Sequence, residues 1–219
     1  APMCLLIIVQ PDFGTTMMIV ALLFVMLFAA GIPKRFVLGL GALGAAAAGL
    51  LIVTKGYRME RLVTFLDPWK DSTGAGFQIV QSFLAFGAGG IFGTGIGRGT
   101  QKLLYLPEPH TDFILSVIGE ELGFLGVLFV IALFATIIAC GIKIAMNSYD
   151  LFGTYLALGI IVLVGLQAAI NMGVVMGLLP TKGMPLPFLS YGGSALVIDM
   201  SCMGILLSIS TQCHFAGKP

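Results

Sequence analysis

Five apolar runs dominate this chain, and nearly everything else about it follows from their length. A run of about 20 apolar residues is enough to cross the hydrocarbon core of a bilayer as a helix. Such runs extend from the Phe13 region to Ile32, from Phe36 to Val53, from Phe113 to Ile142, from Leu151 to Leu179, and from Ser190–Ser194 to about Ile209. The polypeptide is 58% hydrophobic and 10% charged, with a mean hydropathy of +1.05, so a soluble globular domain is excluded. The expected architecture is all-α: a polytopic transmembrane helical bundle of about five full spans. Residues 1–219 form a single membrane domain. Ala1 to Val9 reads as the tail of a preceding apolar helix, so the chain is expected to be the C-terminal part of a longer protein.

The formal net charge of +1 gives no basic excess of the kind a nucleic-acid partner requires. The four cysteines, Cys4, Cys140, Cys202 and Cys213, stand far apart without a CxxC pair, so neither a metal nor a disulfide framework is expected. Three of them lie in or beside apolar runs and read as small buried hydrophobes.

Polar chemistry is concentrated between the spans. Gln10-Pro11-Asp12-Phe13-Gly14-Thr15-Thr16 is a turn, and residues 55–112 form one long loop carrying most of the charged side chains and the single tryptophan, Trp69. Loops of that length are usually functional. Inside it, Phe77 to Phe86 reads as a short amphipathic helix. Gln78, Gln81, Ser82 and Ala85 form one face, against Phe77, Val80, Phe83 and Leu84. Such a helix lies in the membrane interface or folds back onto the bundle. The glycine-rich run Gly87 to Gly97 offers backbone N–H groups that could cradle a phosphate, or else forms close-packing turns.

Tyr105-Leu106-Pro107-Glu108-Pro109-His110-Thr111-Asp112-Phe113 gathers two carboxylates, a histidine and two prolines in front of the third span. The prolines hold the segment extended, and Thr111 or Asp112 is expected to N-cap the helix that follows. Asp112, Ser116 and Glu120 are spaced i, i+4, i+8 and form a polar stripe. That stripe faces either the bundle interior or the headgroups. Gln167 and Asn171 are placed for interhelical hydrogen bonds. Asp199 is an intramembrane carboxylate, which normally faces a partner or a cavity. Counting crossings puts the Asp12 turn, the long loop and the loop Pro180 to Phe188 on one face of the membrane. The Lys34 loop, the Lys143 loop and the C-terminus lie on the other, so all candidate chemistry shares one face.

Three stretches together resemble the SEDS family (shape, elongation, division and sporulation), whose members polymerise peptidoglycan. They are Gln10-Pro11-Asp12-Phe13-Gly14-Thr15; Leu106 to Phe113 with Gly119-Glu120-Glu121-Leu122-Gly123; and Pro185-Leu186-Pro187-Phe188-Leu189-Ser190-Tyr191-Gly192-Gly193-Ser194. Leu179-Pro180-Thr181-Lys182-Gly183 and Phe65-Leu66-Asp67-Pro68-Trp69 are more like the division-type members than the elongation-type ones. The resemblance implies a ten-helix membrane protein of which this is the last six, beginning inside the fifth. It implies the bacterial inner membrane, with the shared face periplasmic, although a positive-inside count points the other way.

The resemblance also implies a reaction. Lipid II, a lipid-linked disaccharide-pentapeptide, is polymerised with undecaprenyl pyrophosphate leaving, and Asp112 matches the essential aspartate, assigned as general base. Charge on the departing pyrophosphate calls for cations or a divalent metal, Mg or Mn. Lys182, Arg98 and Lys102 are the candidates here, with Arg58 and Arg61 behind them. Glu108 is assigned to orient the acceptor or help hold a metal, His110 to orient Asp112, and Ser190, Gly192 and Gly193 to a tight turn beside the cavity. The implied partners are membrane lipids, a class B penicillin-binding protein acting as transpeptidase, and other division proteins. Two other functions stay open: a lipid II transporter, or a scaffold that activates the transpeptidase. Asp199 departs from the neutral residue expected there, and Thr211 to Pro219 matches nothing in the family.

Overall fold

A computed structural model describes residues 13–53, 64–72, 74, 76–99 and 110–216. Within them the regular structure is helical: α1 (Phe13–Ala29), α2 (Lys34–Val53), a 3₁₀ turn (Pro68–Asp71), α3 (Phe77–Gly89), α4 (Ile114–Met146), α5 (Leu151–Val175) and α6 (Gly193–Ala216). Three helical segments are long and apolar enough to span a membrane, Ile114–Met146, Leu151–Val175 and Gly193–Gln212. The 17 residues of α1 are at the short end of the spanning range.

The bundle is built on α5, which packs against α1, α4 and α6. At the end of α4 and α5 nearer the loops, Phe113, Leu115, Val127, Val164 and Val175 bury one core together with Leu186. At the other end Ala145, Ala157, Ile161, Leu206 and Ile209 form a second. Outward from these cores, Phe124, Leu125, Leu128 and Phe129 of α4 are 48–63% exposed, an apolar face that suits a lipid surround. The protein is therefore a multi-pass membrane protein. Its thiols differ from expectation: Cys140 lies on an exposed face and Cys202 is half-buried, while Cys4 falls outside the described residues.

The short helix α3 folds back onto the bundle, and the face it buries corrects the amphipathic reading. Ile79, Val80, Ser82, Ala85 and Gly89 turn inward against α4, whereas Leu84 is 46% exposed. Small residues let the two backbones approach. At Gly89 a Cβ would stand on the Gly119 carbonyl. Ser82 Oγ donates to the Val175 carbonyl, 2.7 Å. Its only proton is thereby committed, so Ser116 Oγ must be the donor in the 2.7 Å contact between the two hydroxyls.

Helix α4 is longer than expected because it is two helices joined at Gly123, whose φ of 69° and ψ of −164° are open to glycine alone. A regular helix would bond the amides of Phe124 and Leu125 to the carbonyls of Glu120 and Glu121. Here those amides donate instead to Gly90 O (2.9 Å) and Ile91 O (3.3 Å). The vacated carbonyls of Glu120 and Glu121 accept from Thr94 N (2.9 Å) and Gly95 N (3.0 Å). Thr94 Oγ1 adds a second bond to Glu120 O. The break therefore leaves no carbonyl or amide of this exchange unpaired, as a non-aqueous surround demands.

Candidate active site

The glycine-rich segment settles first. The N–H groups of Gly90, Gly93, Thr94, Gly95 and Arg98 are all engaged with protein carbonyls, so these amides do not form the phosphate cradle. The close-packing alternative is what the chain adopts: at Gly93 a Cβ would overlap the Glu121 carbonyl, and at Gly99 it would stand 2.8 Å from a Glu120 carboxylate oxygen. Arg98 is exposed on this segment.

The Asp112 segment is positioned from behind, through its backbone. Three consecutive carbonyls are each gripped by a donor far along the chain. His110 O accepts from Tyr191 N at 2.7 Å, Thr111 O from Ser190 Oγ, and Asp112 O from Asn171 Nδ2 at 2.8 Å. The same Asn171 amide donates its other proton to Met184 O, 2.6 Å. Two carbonyl acceptors around one nitrogen fix which end of the amide is which. Gln167, one turn earlier on α5, donates to Pro185 O at 3.1 Å. The pair spaced i, i+4 thus holds loops in place; the expected bonds between helices give way because the loop carbonyls are the nearer acceptors.

The loop that provides these donors is itself tightly turned. Ser190 Oγ accepts from Leu186 N (2.6 Å), and Ser190 N and Leu189 N both return to Leu186 O. Ser190 is therefore a hub with its hydroxyl oxygen accepting and its proton donated onward. Gly192 and Gly193 have ordinary φ values and room for a Cβ, so glycine is not required there for close approach.

Asp112 is not the helix cap. The N-cap position of α4 is Phe113, whose ring offers no acceptor, and Phe113 O accepts from Ser116 N. The Asp112 carboxylate lies over Gly183, with Oδ2 2.7 Å from where a Cβ would stand. Lys182, the adjacent residue, lays its chain across Gly14 at the start of α1 and directs Nζ to Met184 Sδ, 2.7 Å. Three segments expected to share one membrane face, at Gly14, Asp112 and Lys182, thus meet.

The polar stripe continues inward from there. Ser116 is fully buried and Glu120 is 1% exposed, so the stripe faces the interior. His110 is exposed and enters the grip through its carbonyl. Lys102, Glu108, Arg58 and Arg61 lie outside the described residues. Among the described residues no three His, Cys, Asp or Glu side chains gather as cation ligands, so no step is assigned to a divalent metal. A 390 Å³ cleft lined by Phe83, Phe86, Phe124, Val127, Leu128 and Met176, among others, is almost wholly apolar and shares no lining residue with the Asp112 cluster.

Known proteins share this chain's sequence and fold. A family model described as cell cycle protein, covering FtsW, RodA and SpoVE, matches residues 1–214. The chain is 52% identical over 206 residues to a probable peptidoglycan glycosyltransferase FtsW of Geobacter sp. (strain M18), covering 94% of this chain and 56% of that relative. It is 45% identical over 211 residues to stage V sporulation protein E of Bacillus subtilis (strain 168), covering 96% and 58%. It superposes with a TM-score of 0.78 and 31% identity on a solved structure described as structural coordination of polymerization and crosslinking by a peptidoglycan synthase complex, covering 97% and 59%. Thermus thermophilus rod shape determining protein RodA gives a TM-score of 0.63 at 27% identity, covering 96% and 53%. The chain spans a little over half the length of the curated relatives it matches.

Proposed function

This chain belongs to the FtsW, RodA and SpoVE family of cell cycle proteins, and from that premise we propose that it is part of a division-type peptidoglycan glycosyltransferase. The protein polymerises lipid II at the periplasmic face of the bacterial inner membrane, during synthesis of the septal wall. Asp112 is the general base. It takes the proton from the 4-hydroxyl of the acceptor sugar as that oxygen bonds to the anomeric carbon of the donor, and undecaprenyl pyrophosphate leaves with the electron pair of the broken bond. A pyrophosphate needs no protonation to depart, so one carboxylate does what glycosidases divide between two. Lys182 is the first candidate to neutralise the departing charge, with Arg98 and Lys102 as further candidates. Glu108 and His110 flank the base as orienting groups. A class B penicillin-binding protein crosslinks the product.

The observation that carries this reading is how Asp112 is held. Residues 110–112 are fixed at three successive backbone carbonyls, and the Asp112 carboxylate lies over Gly183, next to Lys182. Such an arrangement suits a group whose position matters more than its contribution to stability. The test is Asp112→Asn in the full-length protein with its partner. Acid–base catalysis contributes about 10²-fold or more, so glycan polymerisation should fall by at least that factor with lipid II binding retained. Full polymerisation by the variant would falsify the assignment.

Buried Glu120 favours a second reading, lipid II transport, since an interior carboxylate in a membrane helix often serves a translocation path. Unchanged polymerisation together with lost flipping in vesicles would support it.

A further inference from the structure

We propose that Asp199 is a positioning residue for the reaction assigned to Asp112, holding the Phe188 backbone so that the 184–191 loop keeps its grip on residues 110–112. The proposal rests on the glycosyltransferase reading for its catalytic consequence, though not for its structural one.

Asp199 lies in the first two turns of the membrane helix α6, among side chains that face outward: Val197, Ile198 and Met200 are 66%, 58% and 60% exposed. Asp199 is 8% exposed. Its carboxylate therefore points inward, where the backbone N–H of Phe188 faces it as a hydrogen-bond donor. Phe188 has a φ of 65°, and among the described residues it is the single non-glycine in the left-handed region. An aromatic residue holds that conformation only where its surroundings over-determine it. One restraint is its side chain, which packs against the core formed by Phe113 and Leu186. The other is the Asp199 carboxylate on its amide, since nothing in the turn's own bonds takes that N–H.

The position of Phe188 makes the restraint consequential. It lies inside the turn closed by Leu189 N and Ser190 N on Leu186 O, and the next residues along are Ser190 and Tyr191. Those two supply the donors to Thr111 O and His110 O. If Phe188 relaxes to negative φ, the chain direction changes immediately before both donors, and the Asp112 segment loses two of its three anchors. Asp199 touches no reacting atom; it acts through the loop.

The experiment compares Asp199→Leu, which removes the acceptor at similar volume, with Asp199→Asn, which keeps an acceptor oxygen. Both are made in the full-length protein with its transpeptidase partner. Amide hydrogen exchange over 184–191 is the first readout, with lipid II polymerisation kinetics as the second. Asp199→Leu should accelerate exchange in that loop and lower kcat at least about 10-fold, because small misplacements of a catalytic group are costly, with KM within about twofold. Asp199→Asn should restore both. Wild-type exchange in Asp199→Leu overturns the proposal, as does an Asn variant as impaired as the Leu variant. Should Asp199→Leu fail to accumulate, Asp199→Ala replaces it under the same expectations. If the wild-type protein does not polymerise lipid II, the glycosyltransferase reading falls, and the exchange measurement still decides whether Asp199 holds the loop.

Discussion

Asn171 and Asp112 are joined through a side chain and a main chain: Asn171 Nδ2 donates to the Asp112 carbonyl at 2.8 Å, 59 residues earlier in the chain. With its second proton on Met184 O, one buried amide ties the base-bearing segment to the proline-rich loop. Its own Oδ1 is buried without a partner, so the residue is kept for what it donates.

Replacing Asn171 should therefore be worse than replacing its neighbour on the same face. Asn171→Leu orphans two carbonyls, at about 1–3 kcal/mol for each buried group left unpaired, and frees Asp112 to move. Gln167→Leu removes one bond, to Pro185 O. Polymerisation and thermal stability should both rank wild type, then Gln167→Leu, then Asn171→Leu. Equal losses in the two variants would remove Asn171 from the positioning of Asp112.

Gly183 allows the carboxylate to be displaced without touching it. A Cβ there would stand 2.7 Å from Asp112 Oδ2, the far end of a flexible side chain and not backbone, so the carboxylate is what gives way. Gly183→Ala should fold with a melting temperature close to wild type. It should still lose polymerisation on the order of 10²-fold, because the base is moved by a fraction of its reach. Retained activity would show that the Asp112 carboxylate does not work from this position.

Lys182 can be tested directly and at one remove. Lys182→Ala should weaken polymerisation more than Lys34→Ala, since Lys34 opens α2 on the opposite side of the bundle by crossing count. Gly14→Ala should reproduce part of the Lys182→Ala defect, because a Cβ at Gly14 occupies the path of the lysine chain. Should Gly14→Ala and Lys182→Ala both match wild type in the lipid II assay, the positive charge at this site plays no part in the reaction.

Gly123 is the opposite case, a glycine whose replacement the fold cannot absorb. Its dihedrals cost a side-chain-bearing residue about 1–3 kcal/mol, and the atoms a Cβ would meet are backbone, at Gly93 and Ile91. Gly123→Ala should lower thermal stability by at least that amount, whereas Gly87→Ala, with open space around it, should not. Indistinguishable unfolding temperatures would mean that the break in α4 is not fixed by the loop.

The helices were legible because hydrophobic length is a local property. The spans α4, α5 and α6 begin or end within a few residues of the apolar runs that announced them. Sharing of one face by Gly14, Asp112 and Lys182 was legible too, from crossing parity. What could not be read were bonds whose partners lie far apart, such as Ser190 to Thr111 across 79 residues. The expected N-cap at Thr111 or Asp112 was displaced to Phe113, where α4 begins. Asp150 shows the local rule working, since its carboxylate accepts from Gly153 N at the start of α5. The buried face of α3 was misread because polarity suggested water, while Ser82 and Ala85 are there for their size and for one hydrogen bond to α5.

The exchange of partners between residues 90–95 and 120–125 has a consequence for how such a chain can vary. Surface connections ordinarily tolerate insertions and deletions. Here both strands of contact advance in step, Gly90 and Ile91 receiving from Phe124 and Leu125 while Thr94 and Gly95 give to Glu120 and Glu121. Removing or adding a single residue between Ile91 and Thr94 would satisfy one pair only by abandoning the other. A connection rich in glycine, and free to change in sequence wherever a Cβ fits, is thereby fixed in length, and the break at Gly123 is held in register with it.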